Sequence, residues 1–320
     1  MNQLEHKSVL LNEIVKGLDI QNNDVYVDMT LGGGGHALGM IQTNAKDLTI
    51  IGLDADDEAY ERTLQRFESE LSDEQKLNYK FIFEKTYFDF IDDVLEKHQI
   101  NSVDKVLFDL GYSSFEIDSP ERGFSFLKDG PLKMTYTNSP SESQLTAHDV
   151  VNSFQEENLA DIIYGFGEEK FSRRIAKGIV EARENSEIKT TAELAKIISD
   201  SVPFFYRHHK DGGKSKIHPA TKTFQAIRIA VNSELERLKI ALRKTFEVLK
   251  PGGKIAVISF HSLEDRIVKR YFKQQVSEGI GELYTKKPIT PAEKELQENP
   301  RARSAKLRII KKIWKLPFQK

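Results

Sequence analysis

Four consecutive glycines, Gly32 to Gly35, lie two residues after the strand-like segment VYVDM and precede a short helical segment. A glycine cluster between a strand and a helix allows a ligand to approach bare backbone amides. The loop fits the pattern G-x-G-x-x-A through Gly32, Gly34 and Ala37, and Asp54 follows at about the distance expected of a carboxylate that binds ribose hydroxyls. The pattern predicts a nucleotide-containing ligand; a tight strand-to-helix turn is the alternative interpretation.

Asp28, directly before this loop, indicates which nucleotide ligand the site would favour. A carboxylate at this position would repel a pyrophosphate, by about a few kcal/mol when only partly screened. Beside the ammonium and sulfonium groups of S-adenosylmethionine the same charge is favourable. We therefore expect Asp28 to belong to the electrostatic surround of a cationic cofactor, with loop capping as the alternative.

Strands that alternate with helices must position these groups. The strand-like segments are VYVDM, LTIIGLDAD, YKFIFE, VDKVLFDLG and KIAVISFH, and helical segments separate them. This alternation predicts an open, doubly wound α/β fold with a parallel sheet and right-handed crossovers. Ligands bind such sheets at the carboxyl ends of the strands, where the glycine loop, Asp54, Asp109 and the stretch Ser259 to His261 fall.

The middle of the chain differs from this pattern, because it has helical segments and polar loops without a convincing strand. We predict that residues 113–216 form an inserted, mainly helical substrate-recognition domain, and that residues 1–112 and 217–320 form the cofactor-binding domain. Pairs with capping-box spacing are Ser153 with Glu156, Thr190 with Glu193, and Ser262 with Asp265.

Charge is distributed unevenly along the chain, although the formal net charge is only −2. Residues 53–96 contain fourteen acidic and five basic side chains, whereas residues 266–320 contain fifteen basic and five acidic ones. Residues 299–320 carry eight Lys or Arg and no acid. Such asymmetry is typical of a nucleic-acid contact, and a solvated basic tail is the alternative.

Several classes of protein are disfavoured by composition. No segment approaches the roughly 18 apolar residues of a membrane helix, and Glu5, Asn12 and Glu13 interrupt the region where a secretory signal would be apolar. We therefore expect a cytoplasmic protein without a membrane partner. The absence of cysteine excludes disulfides, thiolate metal sites and cysteine nucleophiles, and no metal site is predicted.

Eight segments, in order from His6 to about Arg308, resemble the bacterial ribosomal RNA small-subunit methyltransferase H family, the MraW type. They are HKSVLLNE, DMTLGGGGHA, ERGFSF, DGPL, FGEEKFSRRIA, HPATKTFQAIRIAVNSEL, ISFHSLEDRIVK and NPRARSAKLR. The resemblance implies a Rossmann-like class I S-adenosylmethionine methyltransferase sheet with an inserted helical domain. It also implies methyl transfer to the N4 amine of a cytidine in the decoding region of 16S rRNA, within the small ribosomal subunit.

The resemblance also assigns site residues by matching positions. Tyr87, where phenylalanine is usual, would lie against the adenine, and Glu116 stands where the family usually has glutamine. Asp109 is the first candidate for a catalytic role as the acceptor near the amine, with cofactor positioning as the alternative. The implied contacts to S-adenosylmethionine are Gly34, Gly35, His36, Asp54, Tyr87, Asp109 and Glu116.

RNA contacts are predicted in two places. The basic tail supplies Arg301, Arg303 and Lys306, and its apolar residues are expected to pack partly on the core. Lys133 lies in the segment LKMTYT, where the family usually has LDMRMD, so two acids and an arginine are absent. A lysine there could contact phosphate. The sequence leaves open whether the protein is a monomer or a homodimer.

Three alternative functions share some of these features. The departure around Lys133 is compatible with a different RNA target, or with a non-catalytic, RNA-binding ribosome assembly factor. A nicotinamide-dependent oxidoreductase would share the glycine loop and Asp54. Methylation of an exocyclic amine agrees with the absence of cysteine, because methylation of cytosine C5 ordinarily needs a cysteine nucleophile.

Overall fold

The computed structural model describes residues 7–56, 58–111, 114–138, 140, 143–207 and 218–314. Within these ranges seven strands form a single sheet. They are β1 (Val25–Asp28), β2 (Leu48–Asp54), β3 (Tyr79–Lys85), β4 (Val103–Asp109), β5 (Leu249–Ser259), β6 (Gly281–Leu283) and β7 (Lys306–Lys312).

Fifteen helices accompany the sheet in the same part of the chain. They are α1 (Leu11–Leu18), α2 (Gly35–Ile41), α3 (Ala59–Glu70), α4 (Asp73–Lys76), α5 (Ile91–Lys97), α6 (Ser114–Asp118), α7 (Ala147–Ser153), α8 (Glu156–Gly167), α9 (Ser172–Asn185), α10 (Thr191–Ser201), α11 (Phe204–Arg207), α12 (Ala220–Asn232), α13 (Glu234–Val248), α14 (Ser262–Ser277) and α15 (Glu293–Glu298). No helix in the described ranges is both long and apolar enough to cross a membrane.

The strand order is β3-β2-β1-β4-β5-β7-β6. Strands β1 to β5 pair in parallel, whereas β7 pairs antiparallel with both β5 and β6. A sheet that binds dinucleotides in the 3-2-1-4-5-6 order has no such antiparallel strand inserted near its edge. The predicted α/β class is confirmed, and the strand order separates this sheet from the oxidoreductase alternative.

Both faces of the sheet are covered, as the continuous apolar strands predict. Alternate residues of each strand enter different cores: Tyr26 and Leu107 pack on one face, and Val27 and Val106 on the other. All four are fully buried, and burial of such a side chain contributes about 1.5 to 3 kcal/mol. The two cores therefore hold the carboxyl ends of the central strands in a rigid setting.

The basic tail contributes a strand to this sheet. Leu307, Ile309 and Ile310 of β7 are buried, which confirms that its apolar residues pack on the core. The register pairs Ile309 with Ala256 and Ile310 with Ile255. A segment that is basic overall is thus anchored through its apolar positions.

Two compact units divide the chain: residues 1–111 with 235–320, and residues 112–234. The second unit has a helical core that contains Phe224, Ile227 and Val231 of α12. The boundary after the helical unit consequently differs from the position 216/217 predicted above. The predicted boundary assigned α12 to the cofactor-binding domain, whereas in the structure this helix packs against α8 and its neighbours.

One predicted capping box is confirmed and two helix starts differ. Thr190 and Glu193 form the box that begins α10. Helix α8 follows Gln155 without a side-chain cap, because Ser153 is still the last residue of α7. Helix α14 is capped by His261, whose backbone is extended, with Glu264 as its partner; Ser262 is already helical.

Candidate active site

Three aspartates end three adjacent strands of the sheet. Asp28 ends β1, Asp54 ends β2 and Asp109 ends β4, and β1 pairs with both of the other strands. Strand order reverses around β1, which is the place where open α/β sheets bind ligands. The structure therefore brings the sequence-predicted acids to one edge of one unit.

Asp54 holds the beginning of the glycine loop. Its Oδ2 accepts a hydrogen bond from the Gly32 amide at 2.7 Å, and its Oδ1 accepts one from the Asp56 amide at 2.8 Å. Burial raises the pKa of Asp54, and the two amide donors oppose that rise. Each carboxylate oxygen has a second lone pair, so the side chain can still accept hydrogen bonds from a ligand hydroxyl.

Gly34 and Gly35 are required by packing as well as by any ligand. Gly34 has a φ of 69°, and a Cβ there would lie 2.6 Å from Cγ2 of Thr63. A Cβ on Gly35 would collide with the Ser8 hydroxyl. A side chain at either position would displace the loop, so both glycines fix the path of the backbone before α2.

Asp109 has a buried oxygen without a partner. Its Oδ1 makes no hydrogen bond with any described residue, while its amide donates to Thr30 Oγ1 at 2.7 Å. Burial, and secondarily the charge of Glu264, raise the pKa of Asp109 to about 7. Buried polar atoms are nearly always hydrogen-bonded, so a free carboxylate oxygen at the ligand-binding edge points to a missing donor.

His36 of α2 lies beside Asp109. Its Nε2 lies 2.9 Å from the carbonyl oxygen of Val9, which can only accept, so Nε2 carries the proton. Its Nδ1 faces Asp109 Oδ2 at 3.6 Å, which is too long for a hydrogen bond. Burial lowers the pKa of His36, so the neutral ring turns a lone pair toward Asp109 and favours its protonated form. The side chain is buried and anchors the start of α2 to Val9.

Asp28 is buried behind the same edge. The Tyr26 hydroxyl donates to its Oδ2 and the Thr30 amide to its Oδ1, both at 3.2 Å. Burial raises the pKa of Asp28 to about 6. The sequence analysis did not select Tyr26, yet alternation along a strand places residues 26 and 28 on the same face.

Tyr87 is covered on one ring face by an arginine. The guanidinium of Arg237 lies 3.9 Å from the ring centroid, which is cation–π geometry. Asp89 fixes that guanidinium through contacts of 2.7 and 2.8 Å between Arg237 Nη1 and its two carboxylate oxygens. Sequence reasoning missed Arg237, because nothing local connects it with a tyrosine so distant in the chain.

Glu116 and Lys133 lie in the helical unit, residues 112–234. Glu116 is buried, with Oε1 3.5 Å from Nη2 of Arg122. Arg122 also donates to the carbonyl oxygens of Thr135 and Tyr136, at 3.2 and 2.7 Å. Lys133 is half-buried. An acidic residue at position 116 therefore has a cationic partner that glutamine would not need.

The predicted RNA-binding residues of the tail lie around a short turn and the start of β7. Arg301 and Arg303 are exposed on the 3₁₀ turn Pro300–Ser304. Nζ of Lys306 lies 3.7 Å from Oδ2 of Asp265. Arg308 pairs more closely with that carboxylate, at 2.7 and 3.2 Å, and so has a structural role.

The antiparallel strand β7 between β5 and β6, the glycine loop after β1 and the acids that end β1, β2 and β4 define a Rossmann-like, S-adenosylmethionine-dependent methyltransferase. The sequence model of the MraW methylase family matches residues 3–313, and the chain belongs to this family.

Two comparisons place the chain among known proteins. It is 43% identical, over 311 residues, to the ribosomal RNA small subunit methyltransferase H of Coprothermobacter proteolyticus, with 97% of both chains covered. The solved structure of an rRNA methylase from Streptococcus thermophilus aligns with 95% of this chain and 94% of its own, at 9% identity and a TM-score of 0.42. The family assignment rests on the sequence matches.

Proposed function

We propose that this methyltransferase transfers a methyl group to the N4 amine of a cytidine in the decoding region of 16S rRNA. The observation that carries the proposal is the match to the MraW methylase family over residues 3–313, together with a relative that is named for the small-subunit rRNA. The substrate would be the small ribosomal subunit, which places the activity in the bacterial cytoplasm.

The residues at the sheet edge fit S-adenosylmethionine, which supplies an electrophilic methyl group on a sulfonium. The unpartnered Oδ1 of Asp109 suits a cationic donor such as the amino-acid ammonium. Asp54 would accept hydrogen bonds from the ribose hydroxyls, and Tyr87 would lie against the adenine, as the family resemblance implies. A pyrophosphate would meet two acids, Asp28 and Asp109, in place of those attractions.

The other predicted cofactor contacts are Gly34, Gly35, His36 and Glu116. The Gly34 and Gly35 backbone would approach the amino-acid part of the cofactor, and His36 would fix the start of α2 beside it through its bond to Val9. Glu116 remains a proposed cofactor contact because of the family resemblance. Its pairing with Arg122 limits the charge that a glutamate adds where the family usually has glutamine.

We assign to Asp109 the hydrogen bond that the cytidine N4 amine would donate. The lone pair of a cytidine N4 amine is delocalised into the ring, so an acceptor for one of its N–H groups increases its nucleophilicity. A carboxylate at the end of β4 can accept that hydrogen bond and hold the amine in line with the methyl group. The same carboxylate can also take the proton that leaves after methyl transfer.

Lys and Arg side chains away from the carboxyl ends of the strands would hold the RNA. Arg301, Arg303 and Lys306 would contact phosphates, and Lys133 would add a contact from the helical unit. Phosphate contacts position RNA without reading its sequence. The choice of cytidine would therefore come from the amine site and from the shape of the subunit.

The direct test uses purified protein, S-adenosylmethionine and small subunits from a strain that lacks the mark. We expect nucleoside mass spectrometry to detect N4-methylcytidine in 16S rRNA. Binding of S-adenosylmethionine without this product would instead favour another RNA target or a binding role, as the LKMTYT departure allows. A melting temperature raised by NAD and not by S-adenosylmethionine would favour the oxidoreductase.

Replacing Arg301, Arg303 and Lys306 with Ala is expected to weaken subunit binding and to flatten its salt dependence. Each lost phosphate contact should reduce the log–log salt slope by roughly 0.7 to 0.9, so three lost contacts reduce it by about 2. Filter binding at several salt concentrations measures the slope, and affinity for S-adenosylmethionine serves as the control. Equal slopes for variant and parent would show that the tail is purely structural.

A further inference from the structure

A second concave site lies at the opposite edge of the sheet from the three aspartates. A cavity of about 610 Å³ opens between α13, α14 and the residues after β7. Its lining includes Pro251 near the start of β5, together with Ile313 and Trp314, so it lies toward the amino ends of the parallel strands. Its volume is in the range of small-molecule and nucleotide sites.

The wall of this cavity contains polar side chains beside apolar ones. Gln275 lines it and is 5% exposed. Tyr271, which also lines it, packs edge-to-face on Phe246 at 6.3 Å. The Gln275 amide has two donors and one acceptor oxygen to offer a ligand in the cavity.

The rim carries an exposed aromatic side chain and free positive charge. Trp314 is the sole tryptophan of the chain and is 76% exposed. Arg243 is exposed and has no ion pair with a described residue, and Lys239, which pairs with Glu236 at 3.0 Å, lies one turn earlier on the same face of α13. Lys312 donates to the carbonyl oxygens at the end of α13. Three cations thus line the cavity with one acid, Glu247.

We propose that this cavity binds one nucleotide of a single-stranded RNA segment, with the base stacked on Trp314 and its phosphate beside Arg243. Aromatic stacking combined with cations is how proteins hold unpaired nucleotides, and Gln275 supplies a hydrogen bond to a base edge. The inference rests on the proposed rRNA substrate. It adds an RNA contact on the sheet edge opposite the cofactor edge, one that a ribosomal subunit is large enough to reach.

The sole tryptophan is a built-in probe for this contact. A short single-stranded oligonucleotide of cytidines and uridines is titrated into the full chain, and tryptophan fluorescence is recorded. Stacking should quench the signal, and anisotropy of a labelled oligonucleotide then gives affinities for the variants. We expect about tenfold weaker binding for Trp314→Ala and near-parent binding for Trp314→Phe, which keeps an aromatic face.

A matched pair of charge variants separates the cavity from the general positive field. Arg243→Gln should weaken binding by roughly three- to tenfold, whereas Arg270→Gln, which removes an exposed arginine outside the lining, should change it by less than about twofold. Affinity for S-adenosylmethionine and the melting temperature should stay at parental values in all four variants, since each altered side chain is exposed on the surface.

Four outcomes of the binding experiments would overturn the inference. They are an unquenched tryptophan, equal losses for Arg243→Gln and Arg270→Gln, equally tight binding of free cytidine monophosphate, and concentration-dependent quenching without RNA, which would indicate a second copy of this chain. Methyl transfer by the parent protein is scored separately. If the parent protein methylates small subunits and these variants do so equally well, the cavity proposal alone fails. If no N4-methylcytidine forms, the proposed function fails.

Discussion

Asp109→Asn is expected to remove most methyl transfer while making the protein without cofactor more stable at pH 8. Burial raises the pKa of Asp109 from its ordinary 3.8 to about 7, so the native carboxyl binds a proton that the unfolded chain has already released. Between about pH 4 and 7 the native state therefore binds more protons, and its free energy of unfolding falls as pH rises through this window. Asparagine cannot ionise and escapes that penalty.

The expected gain in unfolding free energy at pH 8 is about 1 to 3 kcal/mol. The full shift would correspond to about 4 kcal/mol, but 24% of the Asp109 side chain is exposed, and solvent reduces the penalty. Urea unfolding at pH 5 and pH 8 measures it, and Asp19→Asn, at a well-exposed acid, is the matched control. If the variant keeps the parental pH slope, the slope belongs to other groups, among which Asp28 is the first.

The loss of methyl transfer in Asp109→Asn should be a hundredfold or more. Removal of one preorganised group at a reacting centre typically lowers turnover by about 10² to 10³. Single-turnover assays on small subunits, with S-adenosylmethionine at saturation, separate this loss from weaker cofactor binding. A parental rate constant at saturation, with only the cofactor affinity reduced, would make Asp109 a cofactor-positioning residue.

Asp54→Ala should weaken S-adenosylmethionine binding by about ten- to a hundredfold, which is roughly 1.5 to 3 kcal/mol. Two effects add: the ribose loses its acceptor, and the amides of Gly32 and Asp56 lose the carboxylate that holds the loop. Calorimetric titration measures the affinity. Unchanged affinity in a folded variant would exclude Asp54 from the cofactor site.

Asp54→Asn distinguishes the two effects. Its amide oxygen can accept from one of the two backbone amides, while its NH₂ group must face the other. Loop stability and ribose binding should then both be intermediate. Thermal unfolding of the cofactor-free variants reports the loop contribution, because no ribose is present in that measurement.

Local sequence patterns determined the parts of this protein that depend on short stretches of chain. Apolar strands alternating with helices predicted the parallel sheet, because period and burial are set residue by residue. The glycines before α2 are needed where φ is positive or packing is close, as Gly34 shows. Asp54 and Asp109 could be placed at the same edge because each directly ends a parallel strand.

Tertiary structure alone decided the features that depend on distant contacts. The sequence predicted a boundary at 216/217, but α12 packs against α8 in the helical unit, and so the boundary lies after this helix. Arg237 reaches Tyr87 and Asp89 across about 150 positions, and no local pattern encodes such a pair.

Burial and charge at the cofactor site and at the cavity beside Trp314 also depend on distant contacts. The pKa of Asp109 is raised because the fold desolvates it beside Glu264, and the cavity beside Trp314 exists because α13, α14 and β7 meet there. The free energy of a charge depends on all the atoms around it, and these come from segments far apart in the chain.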